Sequence, residues 1–376
     1  MSDKSLMNPF VFGKIVEEPD FCSRADLAAE LSSCIGSGQN VVVFGHRRVG
    51  KSSLVFNTCR EFPARLPLLI DLFFSKDSAM FLEYCSNALF SFNNRRKGLL
   101  EKTLVALRRI RPQVEMDPQS GLPSLTLGAG SQSPVLLHQT IEDFFDFLGS
   151  EFKANQIVVC FDGFQSVLGY PAASELLAKI RAKVQYHKFP YLFTGSDRSG
   201  IRSIFIDPAS PFYKSVRPLE VQGIPRGDFQ PFLERRFSTG KRKVANPVWD
   251  DVFALEVPGD IQQMCAALWD CSRAHSTIDS TVLGRAYERI FAYEIEGFRS
   301  LLMNLTALQI KVLKRIAAVG IDDIYSLSSQ QLIGASGSSI RRSVGALVKK
   351  WILSEDGDEL YFNNPFLRRF LMTTNI

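Results

Sequence analysis

Apolar and polar positions follow two different rhythms in this chain, and the change comes near residue 220. Before it, short apolar runs alternate with amphipathic stretches. Residues 40–44, 67–73, 156–161 and 190–196 read as strands, while 25–35, 51–61, 81–92, 99–110, 140–152 and 174–185 carry apolar positions at helical spacing. Strands alternating with helices predict an α/β fold with a parallel sheet covered on both faces. Ligands of such sheets sit at the carboxyl ends of the strands, where Gly45, Asp162 and Ser196 fall. Residues 112–134 are rich in Gly, Ser and Pro and read as a long loop or an exposed hairpin.

After the change the strand signal fades. Residues 229–237, 247–255, 260–271 and 279–304 read as helices of a small helical domain. Three further helices over 307–319, 328–333 and 339–351 precede a hairpin at 352–362 around Asp356-Gly357-Asp358, which is the order of a winged helix. In the third, Ile340, Val344, Leu347, Val348 and Trp351 form one apolar stripe, with Arg341, Arg342, Lys349 and Lys350 off it. The expected division is a core over 1–219, a helical lid over 220–300 and a winged helix over 301–376.

Composition adds little that changes this picture. With 376 residues, 45% hydrophobic and 30 of them Phe, the chain can fill more than one core. A formal charge of +5 is too mild to imply nucleic acid. The basic run Arg95, Arg96, Lys97, Lys102, Arg108, Arg109 and Arg111 reads as a solvated or partner-facing helix face. No run of 18 apolar residues occurs and the first residues do not lead into a signal core, so a soluble, cytoplasmic protein without membrane attachment is expected. Seven scattered cysteines with no CxxC pair predict reduced thiols. The histidines at 46, 138, 187 and 275 lack ligand spacing, which leaves Mg²⁺ as the expected metal.

The chemistry begins at Gly45-His46-Arg47-Arg48-Val49-Gly50-Lys51-Ser52, which matches the phosphate-binding P-loop pattern GxxxxGK[ST] between a strand and a helix. Such a loop aims backbone N–H groups and the positive end of a helix at phosphate oxygens. Lys51 adds a cation, and the Ser52 hydroxyl suits Mg²⁺. A second metal-holding carboxylate is needed, and Asp162 supplies it at the end of Ile157-Val158-Val159-Cys160-Phe161. Hydrolysis normally uses a glutamate at the next position, which here is Gly163. Gln165 can orient water through its amide or simply bond backbone. Ser196 can sense the γ-phosphate or simply end a turn. Arg47, Arg48 and Arg198 are candidates to complete the site in the same or a neighbouring subunit.

On these residues the chain resembles the archaeal-type ATPase family, a branch of P-loop ATPases related to the AAA and STAND classes. The resemblance rests on Asn8-Pro9-Phe10, Phe21-Cys22-Ser23-Arg24, the P-loop continuing through Ser53 and Leu54, Asp162-Gly163-Phe164-Gln165, Gln185-Tyr186-His187-Lys188, Phe212-Tyr213, and Pro258-Gly259-Asp260-Ile261-Gln262-Gln263. It implies an ATPase core, a helical lid and a winged helix folded back on the nucleotide. It also implies adenine packing near Pro9, Phe10 and Phe21, with Arg24 close by and Gly45, Arg47 to Ser53 around the phosphates. Gly163 departs from the family's usual acid, and Gln262 and Gln263 stand where many AAA proteins place a sensing arginine. The expected function is an ATP/ADP-binding switch with slow Mg²⁺-dependent hydrolysis that controls self-assembly or a protein partner. An ATP-regulated winged-helix DNA reader is the less favoured alternative, because 301–376 holds nine Lys or Arg against six Asp or Glu, four of them in the wing. A scaffold that binds but does not hydrolyse is the third.

Overall fold

A computed structural model describes residues 7–93, 112–116, 123–127, 134–154, 156–196, 198–320, 323–356 and 359–374. The chain divides into two units, one over 15–222 and one combining 1–14 with 223–376. Residues 7–14, expected in the core, therefore group with the C-terminal part.

The 15–222 unit is built on a five-stranded, all-parallel sheet in the order β2-β5-β6-β1-β7. Its strands are β1 (Val41–Phe44), β2 (Leu66–Asp71), β5 (Ile157–Asp162), β6 (Tyr191–Gly195) and β7 (Arg217–Glu220), with an antiparallel pair, β3 (Pro112–Met116) and β4 (Pro123–Leu127), in the stretch expected as loop or hairpin. Every residue of β1 and β6 is buried, as an inner strand with helices on both faces requires. Side chains alternate between those faces. Val41 and Val43 join Val158, Cys160 and Leu192 beneath α1 (Ala25–Ser37) and α2 (Lys51–Arg60). Val42, Ile70, Phe161 and Phe193 face the other way, against helices Ser78–Asn93, Pro134–Glu151 and Ala173–Val184. That second side absorbs many of the phenylalanines: Phe161 stacks on Phe81 and Phe193, each 5.8 Å away, and Phe164, Phe205 and Phe212 close around Phe193. Such contacts add about 0.5–1.5 kcal/mol per pair beyond burial.

β7 went unread in the sequence. The helix expected over 99–110, with its basic run, lies outside the described residues.

The other unit is helical, with one short parallel pair between Lys243–Val244 and Thr277–Ile278. Helices Arg226–Thr239, Asn246–Phe253, Pro258–Cys271 and Ser280–Met303 come first. Ala307–Val319, Leu327–Ile333 and Gly337–Lys349 follow, then an antiparallel hairpin of Leu353–Asp356 with Glu359–Phe362, and a last helix Pro365–Thr373. Hydroxyl, amide and carboxylate side chains set the starts: Asp279, Thr306, Ser326, Ser336 and Asn364 each accept backbone N–H groups, and Thr306 with Gln309 makes a full capping box. Ile340, Val344 and Leu347 are buried as the stripe predicts, but Trp351 is 58% exposed. The helix ends at Lys349, and Trp351 takes a positive φ of 58°, so it no longer continues the helical face.

Phe10 belongs to this unit's core. Its ring lies 4.6 Å from Phe237 and 6.3 Å from Trp269, and it is 6% exposed. Asn8 Nδ2 donates to Ala266 O and Asp270 Oδ1, and Arg236 donates to Pro9 O at 2.7 Å. Phe10→Leu is expected to cost about 1–1.5 kcal/mol, through lost ring contacts rather than lost volume. A urea melt of the full chain measures this, and an unchanged midpoint would contradict a core role.

Candidate functional site

The carboxyl ends of β1, β5 and β6 and the start of α2 bring the expected residues of the 15–222 unit together. Gly45 begins the loop with φ 149°, and Gly50 closes it in the left-handed region with φ 98°. No side chain caps α2, so its first N–H groups have no acceptor within the helix and open onto the loop. No acid stands in the first turn to compete for that end.

Lys51 is 8% exposed, and its Nζ donates to Gly45 O at 3.0 Å and His46 O at 2.8 Å. Burial brings its pKa down to about 8; Asp162 partly opposes this and Arg47 adds to it. A buried cation held by two carbonyls is short of negative charge, and a phosphate oxygen would supply it.

Ser52 Oγ donates to Asp162 Oδ2 at 2.6 Å, and Thr194 Oγ1 donates to Asp162 Oδ1. One carboxylate thus joins the P-loop helix to β6. The hydroxyl expected to matter after β6 was Ser196, which follows the strand half-buried; Thr194 is the one that reaches Asp162. The signal that could have found it is the strand register, since Thr194 pairs with Val43 beside the loop.

Arg24 donates to Val49 O at 2.5 Å and to Gln222 O at 3.3 Å, and its Nε has no partner among the described residues. Burial lowers its pKa to about 10, with a smaller opposing effect from Cys22. Phe21 is half-buried against the α1–α2 side of the core. Phe21 and Arg24 therefore share a unit with the P-loop, whereas Pro9 and Phe10 fall in the other unit. The Ser53 hydroxyl accepts Val16 N–H at 3.1 Å, which ties the start of α2 to the segment before α1. Val49 is buried and accepts from Arg24. Arg47 is exposed, with its guanidinium 4.7 Å over the Phe73 ring. Arg48 has a positive φ of 63°. The Arg198 side chain lies outside what is described.

Gln165 is 9% exposed, and its Oε1 has no hydrogen-bond partner among the described residues. That oxygen lies 2.7 Å from where a Cβ on Gly195 would stand, at the end of β6. An orphaned buried acceptor at a strand end is costly unless a ligand or water meets it. Gly163 is equally informative. Its φ is 71°, and a Cβ there would stand 3.1 Å from both the N and the Cα of Phe73. A side chain at position 163 would be crowded by that backbone and strained by the positive φ.

The donor set suits a small hard cation with phosphate. A hydroxyl and a carboxylate oxygen meet at the helix start, the pairing by which Mg²⁺ is commonly held beside a nucleotide. Among the described residues no group of three or more His, Cys, Asp or Glu could hold a metal, and no helix is long and apolar enough to cross a membrane.

No family model matches the chain, and neither does any curated protein. Solved structures do. The Walker-type ATPase of Pyrococcus abyssi aligns over 97% of this chain and 99% of its own, with a TM-score of 0.62 at 18% identity. The fold is that of the P-loop ATPases. Two proteins of Aeropyrum pernix, ORC1 and ORC2, are similar as well, each with a TM-score of 0.52. ORC1, solved in complex with DNA, covers 94% of both chains at 12% identity, and ORC2, solved as ADPNP–ADP complexes, covers 96% of both at 14%.

Proposed function

We propose that this chain is an ATP-binding switch of the archaeal-type ATPase kind, with slow Mg²⁺-dependent hydrolysis and a nucleotide state that controls self-assembly or a protein partner. The observation that carries the reading is the single carboxylate, Asp162, tied to both Ser52 of the P-loop helix and Thr194 of β6. Ser52 and Asp162 would hold Mg²⁺, which neutralises phosphate charge when bound. Lys51 binds the phosphates from the other side. Gln165 orients the attacking water through its orphaned Oε1. The helices over 223–303 act as the lid, and the three helices and hairpin after them act as a winged helix.

Turnover is slow because no acid follows Asp162. Gly163→Glu is expected to destabilise the protein by about 1–3 kcal/mol and to leave hydrolysis no faster, since the side chain meets the Phe73 backbone. A denaturant melt and a phosphate-release assay on the same sample check both halves. Faster hydrolysis in that variant would instead mark the wild type as a scaffold that has lost its acid.

The DNA-reading alternative draws on ORC1, a similar fold solved with DNA. Two of the basic residues of helix Gly337–Lys349 and its C-cap are held within the unit, Arg341 over the Tyr325 ring and Lys350 by Asn304 O, which weighs against them as free phosphate contacts.

The test is ATP turnover by the full chain in Mg²⁺ and in EDTA, with ATP binding measured in parallel. Turnover at a low rate that EDTA abolishes is the expected result. Binding without any turnover would remove hydrolysis from the reading, and no binding would remove the reading.

A further inference from the structure

The missing acid after Asp162 leaves a chemical question that this fold answers from a neighbouring strand. Hydrolysis of the γ-phosphate bond needs somewhere for the attacking water's proton to go. Gln165 can align water but its amide cannot accept that proton. A side chain at position 163 would be strained by the positive φ and crowded by the backbone of Phe73.

That backbone follows directly on β2. The strand's last residue is Asp71, which stands in register with Asp162 across the β2–β5 pair. Neighbouring strands lie about 4.8 Å apart, and residues in register on parallel strands project to the same face. Asp162 projects with Val158 and Cys160 toward the α2 side, where its carboxylate meets Ser52. Asp71 therefore stands beside it on that side, at the carboxyl end of the edge strand, and it is exposed.

The segment is anchored. Asp71 Oδ1 accepts Phe73 N–H at 2.9 Å, Leu72 N–H donates to Asp162 O at 2.8 Å, and Ser166 Oγ donates to Phe73 O at 3.4 Å. It also borders the P-loop, since the Arg47 guanidinium lies over the Phe73 ring. Asp162 is thus flanked by β2 with Asp71 on one side and by β6 with Thr194 and the Gln165 amide on the other.

We infer that Asp71 is the proton-accepting carboxylate of this site, supplying from β2 the acid that position 163 lacks. The inference rests on the hydrolytic reading above. The water oxygen bonds to the γ-phosphorus while one of its protons passes to the Asp71 carboxylate. The bond from that phosphorus to the bridging oxygen breaks, and its electron pair leaves on ADP. The proton then passes from Asp71 to the released phosphate or to solvent.

The experiment compares the full-length wild type with Asp71→Asn and Asp71→Glu. It measures ATP affinity in Mg²⁺, the turnover number, formation of the Mg²⁺–ADP–aluminium fluoride complex, and melting temperature. Asp71→Asn is expected to lower turnover about 30-fold or more, consistent with a general-base contribution of roughly 10²–10⁴. Its ATP affinity should stay within about threefold, because the ground state does not use the proton acceptor. The fluoride complex, which mimics phosphoryl transfer to water, should weaken about tenfold, and Asp71→Glu should regain part of both losses. Since Asp71 is exposed, the melting temperature should not move. Asp71→Asn with wild-type turnover and a wild-type fluoride complex would overturn the inference while leaving the hydrolytic reading intact. A wild type that binds ATP yet neither turns over nor forms the fluoride complex overturns both the inference and hydrolysis. A wild type that binds no ATP overturns the nucleotide reading itself.

Discussion

Lys51→Ala is expected to abolish ATP turnover and to weaken ATP binding about 100-fold or more. The side chain is buried, and its two acceptors, Gly45 O and His46 O, are backbone carbonyls of the loop it has to charge. Removing it deletes the cation nearest the phosphates, in a setting too dry for solvent to replace it. Isothermal titration with ATP and a phosphate-release assay read both effects, and binding within a fewfold of wild type would contradict a phosphate role.

The same residue gives a pH dependence with a definite sign. Its folded pKa of about 8 lies below the ordinary lysine value of 10.5. Below pH 8 folded and unfolded chains both carry the proton, and the cost of burying the charge is fully present. Between about 8 and 10.5 the unfolded chain binds the proton more tightly, so stability of the ligand-free protein rises with pH, by up to about 3 kcal/mol. Lys51→Met should lose that rise, and denaturant melts at pH 7.5 and 9.5 compare the two. Phosphate favours the charged form. ATP binding above pH 8 should therefore take up protons, visible as a heat that changes with the ionisation enthalpy of the buffer.

Gly45→Ala should be the most damaging single methyl group in the 15–222 unit. A Cβ there would sit 2.1 Å from Val221 O and 3.1 Å from Val221 C. Neither atom can give way easily, because Val221 N–H is bonded to Phe44 O at 2.7 Å, just beyond the β1–β7 pairing. The φ of 149° also disfavours a side chain. Overpacking against fixed backbone together with that strain puts the cost near or above about 3 kcal/mol. For a unit of this size that corresponds to a fall of about 6–12 °C in melting temperature. Calorimetry on the full chain measures it, and a midpoint within about 2 °C of wild type would show that β7 yields after all.

The centre of the sheet was legible in the sequence because it is buried on both faces. Val41–Phe44 and Ile157–Phe161 are apolar throughout, and the P-loop pattern fixes which strand is β1. β7 escaped notice for the opposite reason. Of Arg217–Glu220 only Leu219 is buried, and the strand opens with Arg217 bound to Glu30 and then a proline, as an edge permits. Asp162 and Lys51 could be placed by motif, but the bond from Thr194 to Asp162 could not, because it needs the strand's register. Phe10 is a different case. Apolar residues before a P-loop look the same whether they cover a base or fill a core, and Phe237 and Trp269 give no local sign of their partnership with it. Gly163 read as a lost acid, and only the Phe73 backbone gives the reason.

The partnership of Phe10 with Phe237 and Trp269 sets a timetable for synthesis. Pro9 and the Arg236 that donates to it are 227 positions apart, and at ~5–20 residues per second the interval is about 10–45 s. Phe10 is made well before Phe237 and Trp269, which form its pocket. In between, everything needed for the 15–222 sheet has emerged and can close, while the leading segment waits with an apolar ring uncovered. A nascent chain cut short before Trp269 keeps that ring in water, marking it as incomplete to any factor that binds exposed apolar segments.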